Sequence, residues 1–180
     1  MAEIAQPKPV KLIVGLLARQ SAWLDEAGQR LTEALGPIDL ASQDIDFTFT
    51  HYYDQQMGAG LLRRFLAFER LIDPGDLRAI KQRTNQLEAE LARQFPQVAR
   101  PVNLDPGYVA LAKLVLASAK DFSHRVYLGE GIFAEITLQF REGKWQSLAW
   151  TFPDYGSGQY DAFLLAARER IKEQLDAAGA

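Results

Sequence analysis

The segment Lys120 to Arg125, KDFSHR, places three cationic or proton-accepting side chains and a carboxylate close together in the chain. Arg125 offers a planar fork suited to carboxylate or phosphate, Lys120 a point charge, and His124 a group that exchanges a proton near neutral pH. With Asp121 beside them, these residues are candidates for holding a small anionic ligand. His124 is also a candidate general acid or base, with Asp105 or Glu135 as its carboxylate partner. The competing arrangement is structural: Arg125 pairs with Glu135 across a hairpin and His124 fills a turn, and of the two this is the commoner in proteins.

Other positions carry weaker signals. Asp105 begins Asp105-Pro106-Gly107, where an aspartate before Pro-Gly more often starts a turn than acts in catalysis. Asp44 and Asp46 lie two apart on an expected strand and so face one way, a geometry used to hold divalent ions, but D-x-D is common by chance and no metal is assigned. Asp154 and Tyr155, in the loop TFPDYG, are candidates to cover a ligand. His51 beside Tyr52 and Tyr53 is a second acid–base candidate, against the more frequent case of an aromatic cluster at a strand end. Ser118-Ala119-Lys120 is like the guanine-contact motif of GTPases, yet GxxxxGK[ST] is absent, which excludes a conventional GTPase. GxSxG, HExxH and EF-hand patterns are absent too, and the sequence names no cofactor.

The elements that must position these residues follow from patterning. Residues 1–9 read as a flexible tail and 10–180 as one domain. Val10 to Leu17 is apolar on both parities, as in a central strand covered on both faces. Ser21 is placed to cap a helix with apolar positions Leu24, Ala27, Leu31 and Leu35, ended by Gly36-Pro37. Ile45, Phe47 and Phe49 alternate with polar residues as in a half-buried strand. Leu61 to Leu71 reads as a second helix with Leu61, Phe65 and Phe68 on one stripe and Arg63, Arg64 and Arg70 around the remainder. Asp73-Pro74-Gly75-Asp76 starts a third, with Leu77, Ile80, Thr84, Leu87 and Leu91 inward. Tyr108 to Ala119 fits either helix or strand, with helix preferred.

The hairpins are better determined. A three-residue loop Gly129-Glu130-Gly131 places Val126 and Leu128 on one apolar face with Ile132, Ala134, Ile136 and Leu138, and sets Arg125 opposite Glu135 and Tyr127 opposite Phe133. A two-residue turn Glu142-Gly143 pairs Phe140 with Trp145 and Glu135 with Trp150. A last helix buries Tyr160, Phe163, Leu164, Ala167, Ile171 and Leu175. The expected fold class is therefore α+β: a mixed or mainly antiparallel sheet with a β-meander in its C-terminal half, packed against four to five helices.

Net charge and composition narrow the function. The 20 basic and 23 acidic residues are interspersed, so no electrostatic footprint for nucleic acid appears. With no cysteine there is no disulfide, thiol nucleophile or thiolate metal site. The apolar run at Val10 is far below the roughly 20 residues that span a bilayer, so no membrane partner and a cytoplasmic location are expected.

The segments THYYDQQMG, IKQRTNQLE, VNLDPGY, KDFSHRVYL, GIFAEITL and WTFPDY, in this order, resemble the bacterial family called domain of unknown function 4416. The resemblance implies kinship over nearly the whole chain without supplying a reaction, a cofactor or a partner. The residues themselves favour a small-molecule or anion-binding domain with Lys120, Arg125, Tyr127, Glu135 and Trp150 lining a cleft. The alternatives are an enzyme acting on a phosphorylated or carboxylated metabolite through His124, and an interaction protein using the basic second helix or the TFPDYG loop.

Overall fold

In the computed structural model, residues 3–50 and 52–179 are described. Their nine strands are β1 (Val10–Ala18), β2 (Ile38–Ala41), β3 (Ile45–Phe47), β4 (Leu61–Ile72), β5 (Val102–Ala110), β6 (Lys113–Ser118), β7 (Val126–Gly129), β8 (Ile132–Arg141) and β9 (Lys144–Ser147). They join in one sheet of order β2-β4-β1-β5-β6-β8-β7, with β3 beside β4 and β9 beside β8. Every pairing is antiparallel, which resolves the expected mixed or antiparallel sheet. The helices are α1 (Ser21–Leu35), α2 (Asp54–Met57), α3 (Leu77–Gln94), α4 (Pro153–Gly156) and α5 (Asp161–Ala178). The α+β single domain with a C-terminal meander is the fold the chain adopts.

Strand β1 is central, as its two-sided apolar pattern requires, and every residue in it is buried between β4 and β5. Leu12, Val14 and Leu16 face α1 and α3, packing with Leu24, Leu31, Leu87, Leu91 and Leu104. Ile13 faces the other way, with Phe65, Ala67 and Val109 under Phe163, Leu164 and Ala167 of α5. The Asp73 signal is used one turn early: its side chain accepts from Gly75 N at 2.7 Å and caps a 3₁₀ turn, Pro74–Asp76, that leads into α3, which itself has no side-chain cap. Ser21 does not cap α1; its hydroxyl donates to Asp44 Oδ2 at 2.6 Å, and Gln20 occupies the cap position.

Three expected elements are corrected. Leu61 to Leu71 is strand β4, not a helix. LLRRFLAF is apolar on both parities apart from its two arginines, and a strand buried on both faces gives the same short run as a buried helix. The sheet decides the matter by placing it beside β1. Second, Asp105-Pro106-Gly107 makes no turn; β5 runs straight through it, with Gly15 opposite Asp105 and Val14 opposite Pro106. Third, Tyr108 to Ala119 is the end of β5, a turn at Leu111-Ala112 and β6, with Ala110 paired to Lys113. Two one-turn helices, α2 and α4, fill the helix count instead.

Both hairpins have the expected cross-strand neighbours, Tyr127 with Phe133 and Phe140 with Trp145. The first is closed differently. Glu130 and Gly131 form a two-residue turn with φ of 53° and 76°, and a bulge between Tyr127 and Gly129 restores the register that a three-residue loop would have set. Val126 and Leu128 are not buried with Ile132; β7 ends the sheet, and both are exposed. A second bulge makes Leu114 and Val115 pair with Leu138 and Ile136, so Leu138 joins the α5 face while Ile132, Ala134 and Ile136 pack towards Leu77. Strand β9 stops at Ser147, so Trp150 is not a strand partner of Glu135.

Candidate functional site

Strands β5 and β6 are paired only from Gly107–Leu116 to Ala110–Lys113. Beyond that vertex β5 continues back to Val102 beside β1, while β6 continues to Ser118 beside β8. The strands fork, and the sequence at the vertex suits the fork. A Cβ on Gly107 would come within 2.3 Å of the Val115 carbonyl oxygen, so only glycine permits this approach. Leu104, two residues before Pro106, turns its backbone into the open side, where its N–H donates to Glu88 Oε1 at 2.7 Å and its carbonyl accepts from Lys81 Nζ at 2.8 Å. Pro106 shares that orientation and has no N–H to leave unpaired.

The fork opens into a cavity of about 1440 Å³ lined by Asp105 and Asn103 of β5, Ala117 and Ser118 of β6, the 119–125 loop, aromatic residues of 47–53 and the 149–155 segment. At its floor Arg63, only 3% exposed, donates through Nη1 to Asp105 Oδ2 at 3.0 Å and lies 3.7 Å from Asp154 Oδ2 through Nη2. Its guanidinium sits 5.2 Å from the centre of the Phe47 ring. Gly15 makes room: a Cβ there would lie 3.2 Å from Arg63 Nη1 and 3.0 Å from the Phe65 ring. Asn103 Nδ2 also donates to Asp105 Oδ2, at 2.7 Å, and Arg100 Nη2 donates to Asn103 Oδ1 and, at 2.9 Å, to Glu88.

These contacts separate the two floor carboxylates electrostatically. Burial pushes the Asp105 carboxyl up, but the charges of Arg63, Lys81 and Arg100 outweigh it and hold the group below its usual value. Asp154 goes the other way, raised by burial beyond what Arg63 and the Tyr160 hydroxyl offset. Burial opposes the charge of Arg63, yet the Asp105 and Asp154 carboxylates beside it outweigh burial and raise its pKa. The Tyr155 phenol is driven well above its usual value by burial, and its hydroxyl, like Arg63 Nε, is buried without a partner among the described residues.

The mouth is built from the loop before β7 and from β8. Glu135, 3% exposed, receives Arg125 Nε at 2.7 Å on Oε2, and His124 Nε2 lies 3.1 Å from the same oxygen. Arg125 spends Nη1 on Ser118 Oγ at 2.8 Å and the Lys120 carbonyl at 2.9 Å. Trp150 donates through Nε1 to the Ile136 carbonyl at 2.9 Å and lies parallel to His124, with 5.4 Å between ring centres. Lys120 reaches across to donate to the Tyr52 hydroxyl at 2.9 Å, which lowers that phenol's pKa.

The structure thus brings His124, Arg125 and Glu135 into contact and sets Lys120, Asp121, Trp150, Asp105, Asp154 and Tyr155 around one cavity. Tyr127 lies elsewhere, exposed and packed on Phe133. Asp105 is engaged by Arg63 and Asn103, not by His124. The Asp44 carboxylate is filled by Arg64, at 2.5 and 3.0 Å, and by Ser21. His51 lies outside the described residues. The basic second helix proposed as a contact surface does not exist, since Arg63 and Arg64 belong to β4; Tyr155 is buried while Phe152 is exposed. Sequence reasoning missed Arg63, Asn103, Lys81 and Arg100. Two signals were available: an arginine on each parity of a run otherwise apolar on both, and a glycine in the middle of a central strand, which marks close approach.

Fold and site together define an antiparallel α+β domain with a deep cavity at a fork in its sheet, lined by aromatic rings and internally paired charges. The chain belongs to the family described as domain of unknown function (DUF4416), which matches residues 8–171. No curated protein and no solved structure matches it. Among the described residues, no helix is long and apolar enough to cross a membrane.

Proposed function

We propose that the chain is a small-molecule-binding domain that takes a ligand with an aromatic body and an anionic group into the fork cavity, the anion meeting Lys120 at the mouth. The observation that carries this reading is the volume of about 1440 Å³ behind a lysine whose ammonium has no carboxylate partner among the described residues. Arg125 is a poorer anion ligand than its sequence position suggests, because Glu135, Ser118 and the Lys120 carbonyl already occupy two of its nitrogens. Pockets of this kind bind through apolar walls and a few placed polar groups.

A thermal-shift screen with aromatic carboxylates and nucleoside monophosphates tests the reading. A ligand at about 100 times its Kd adds about 2.7 kcal/mol to apparent stability. Lys120→Ala should change the stability of the free protein by no more than about 0.5 kcal/mol, as expected for an exposed site, while reducing the ligand-induced shift. A panel with no shift on the wild-type chain overturns it.

The contact between His124 and Glu135 favours a second reading, an enzyme moving a proton on a ligand in the same cavity. Nδ1 of His124 is free of partners among the described residues, so the carboxylate can orient the ring while the other nitrogen faces a substrate. Turnover of a bound compound that disappears in His124→Gln, with binding retained, is the expected result for that reading.

A further inference from the structure

Resting on the reading that the cavity binds a small molecule, we propose that Asp105 is the ligand-reading group at its floor. The ligand class that fits is an amino-substituted aromatic or heterocyclic ring carrying an anionic group. The argument begins with how unevenly this carboxylate is used. Oδ2 accepts from both Arg63 Nη1 at 3.0 Å and Asn103 Nδ2 at 2.7 Å, whereas Oδ1 has no partner among the described residues. The Asp105 side chain is 27% exposed and lines the cavity, beside an Arg63 side chain only 3% exposed. One edge of the carboxylate is therefore clamped and dry, and the other is open.

The clamp has its own support. Arg100 holds the Asn103 oxygen, which turns the Asn103 amide nitrogen towards Asp105, and Glu88 holds Arg100. Supporting contacts of this kind fix the direction of a group that must meet a ligand. An ionised carboxylate oxygen accepts hydrogen bonds and donates none, so the ligand must supply an N–H or O–H at this point. The aromatic residues that share the cavity, among them Phe47 and Tyr53, favour a flat ring behind that donor. An amino group on such a ring meets both demands, and Lys120 at the mouth takes the anionic end.

The test is isothermal titration of the wild-type chain with two matched pairs that differ by the amino group. The pairs are 4-aminobenzoate with 4-methylbenzoate, and adenosine 5′-monophosphate with purine riboside 5′-monophosphate. The amino member of at least one pair should bind tenfold or more tighter. Asp105→Asn, which keeps the shape and removes the charge, should cut that preference to below about threefold; circular dichroism establishes that the variant is folded, and the wild-type comparison stands without it. Equal binding within both pairs, or a preference that survives in folded Asp105→Asn, overturns this inference and leaves the binding reading in place. If neither member of either pair binds, the binding reading fails and this inference fails with it.

Discussion

At the mouth of the cavity, His124 and Arg125 reach Glu135 from 11 and 10 positions away in the chain, across one hairpin. At the floor, Arg63 reaches Asp105 from 42 positions away, and Asp154 comes from beyond β9. The mouth can form as soon as β7 and β8 pair, because closing so short a loop costs little entropy. The floor forms only when β1, β4 and β5 have assembled and α4 has docked on them. The two ends also differ in support: Arg63 at the floor lies on β4 between β1 and β3, while Arg125 at the mouth precedes β7, which ends the sheet. Charge at the floor is therefore bound up with the integrity of the fold. At the mouth, Lys120, with no carboxylate partner among the described residues, is the charge left to serve a ligand.

Arg63→Ala tests that contrast most severely. It leaves the Asp105 and Asp154 carboxylates without their guanidinium, and breaking a buried pair in this way costs about 3–5 kcal/mol, to be read from urea denaturation. If the loss is below about 1 kcal/mol, the floor is not the structural keystone described above. Glu135→Gln at the mouth should cost less, about 2 kcal/mol, since Arg125 loses a charged acceptor but keeps Ser118 and the Lys120 carbonyl. A Glu135→Gln loss equal to that of Arg63→Ala would erase the distinction between the two ends.

The acid profile gives a smaller and sharper signal. Asp105 has a folded pKa below its unfolded value, so the folded chain binds fewer protons there. Its contribution to stability is full above the unfolded value of about 3.9 and is lost as pH falls through the lowered folded value. Asp154 and Glu88 act in the opposite sense: burial raises both, and the folded state gains relative stability as pH falls towards their unfolded range. Asp105→Asn should therefore flatten the loss of stability on acidification, measured by urea unfolding between about pH 2 and 5. An unchanged profile would mean that Asp105 is not held ionised by Arg63.

Much of this architecture is legible in the residues. The double-sided apolar run of β1, the Asp-Pro-Gly-Asp start of α3, the stripe of α5 and the cross-strand neighbours of both hairpins are local patterns, and local patterns survive into the fold. The mouth was accordingly visible: Arg125 opposite Glu135 follows from the alternation of β8 and the glycines that flank Glu130. The misread stretches are those where one pattern serves two structures. LLRRFLAF satisfies a helix stripe and a fully buried strand equally, and Asp-Pro-Gly has the composition of a turn although here it passes through a fork.

What the sequence determined by itself was therefore the set of strongly periodic elements, the α+β class and the pairing at the mouth, because each depends on neighbours within about a dozen positions. Only the tertiary structure decided the floor. Gly15, Arg63 and Asp105 meet because β4 and β5 take opposite sides of β1, and which strand pairs with which is set by burying both faces of the sheet at once. No stretch of chain contains that condition. The carboxylate that resembled a turn residue becomes, through that packing, an oriented group with one oxygen open to the cavity.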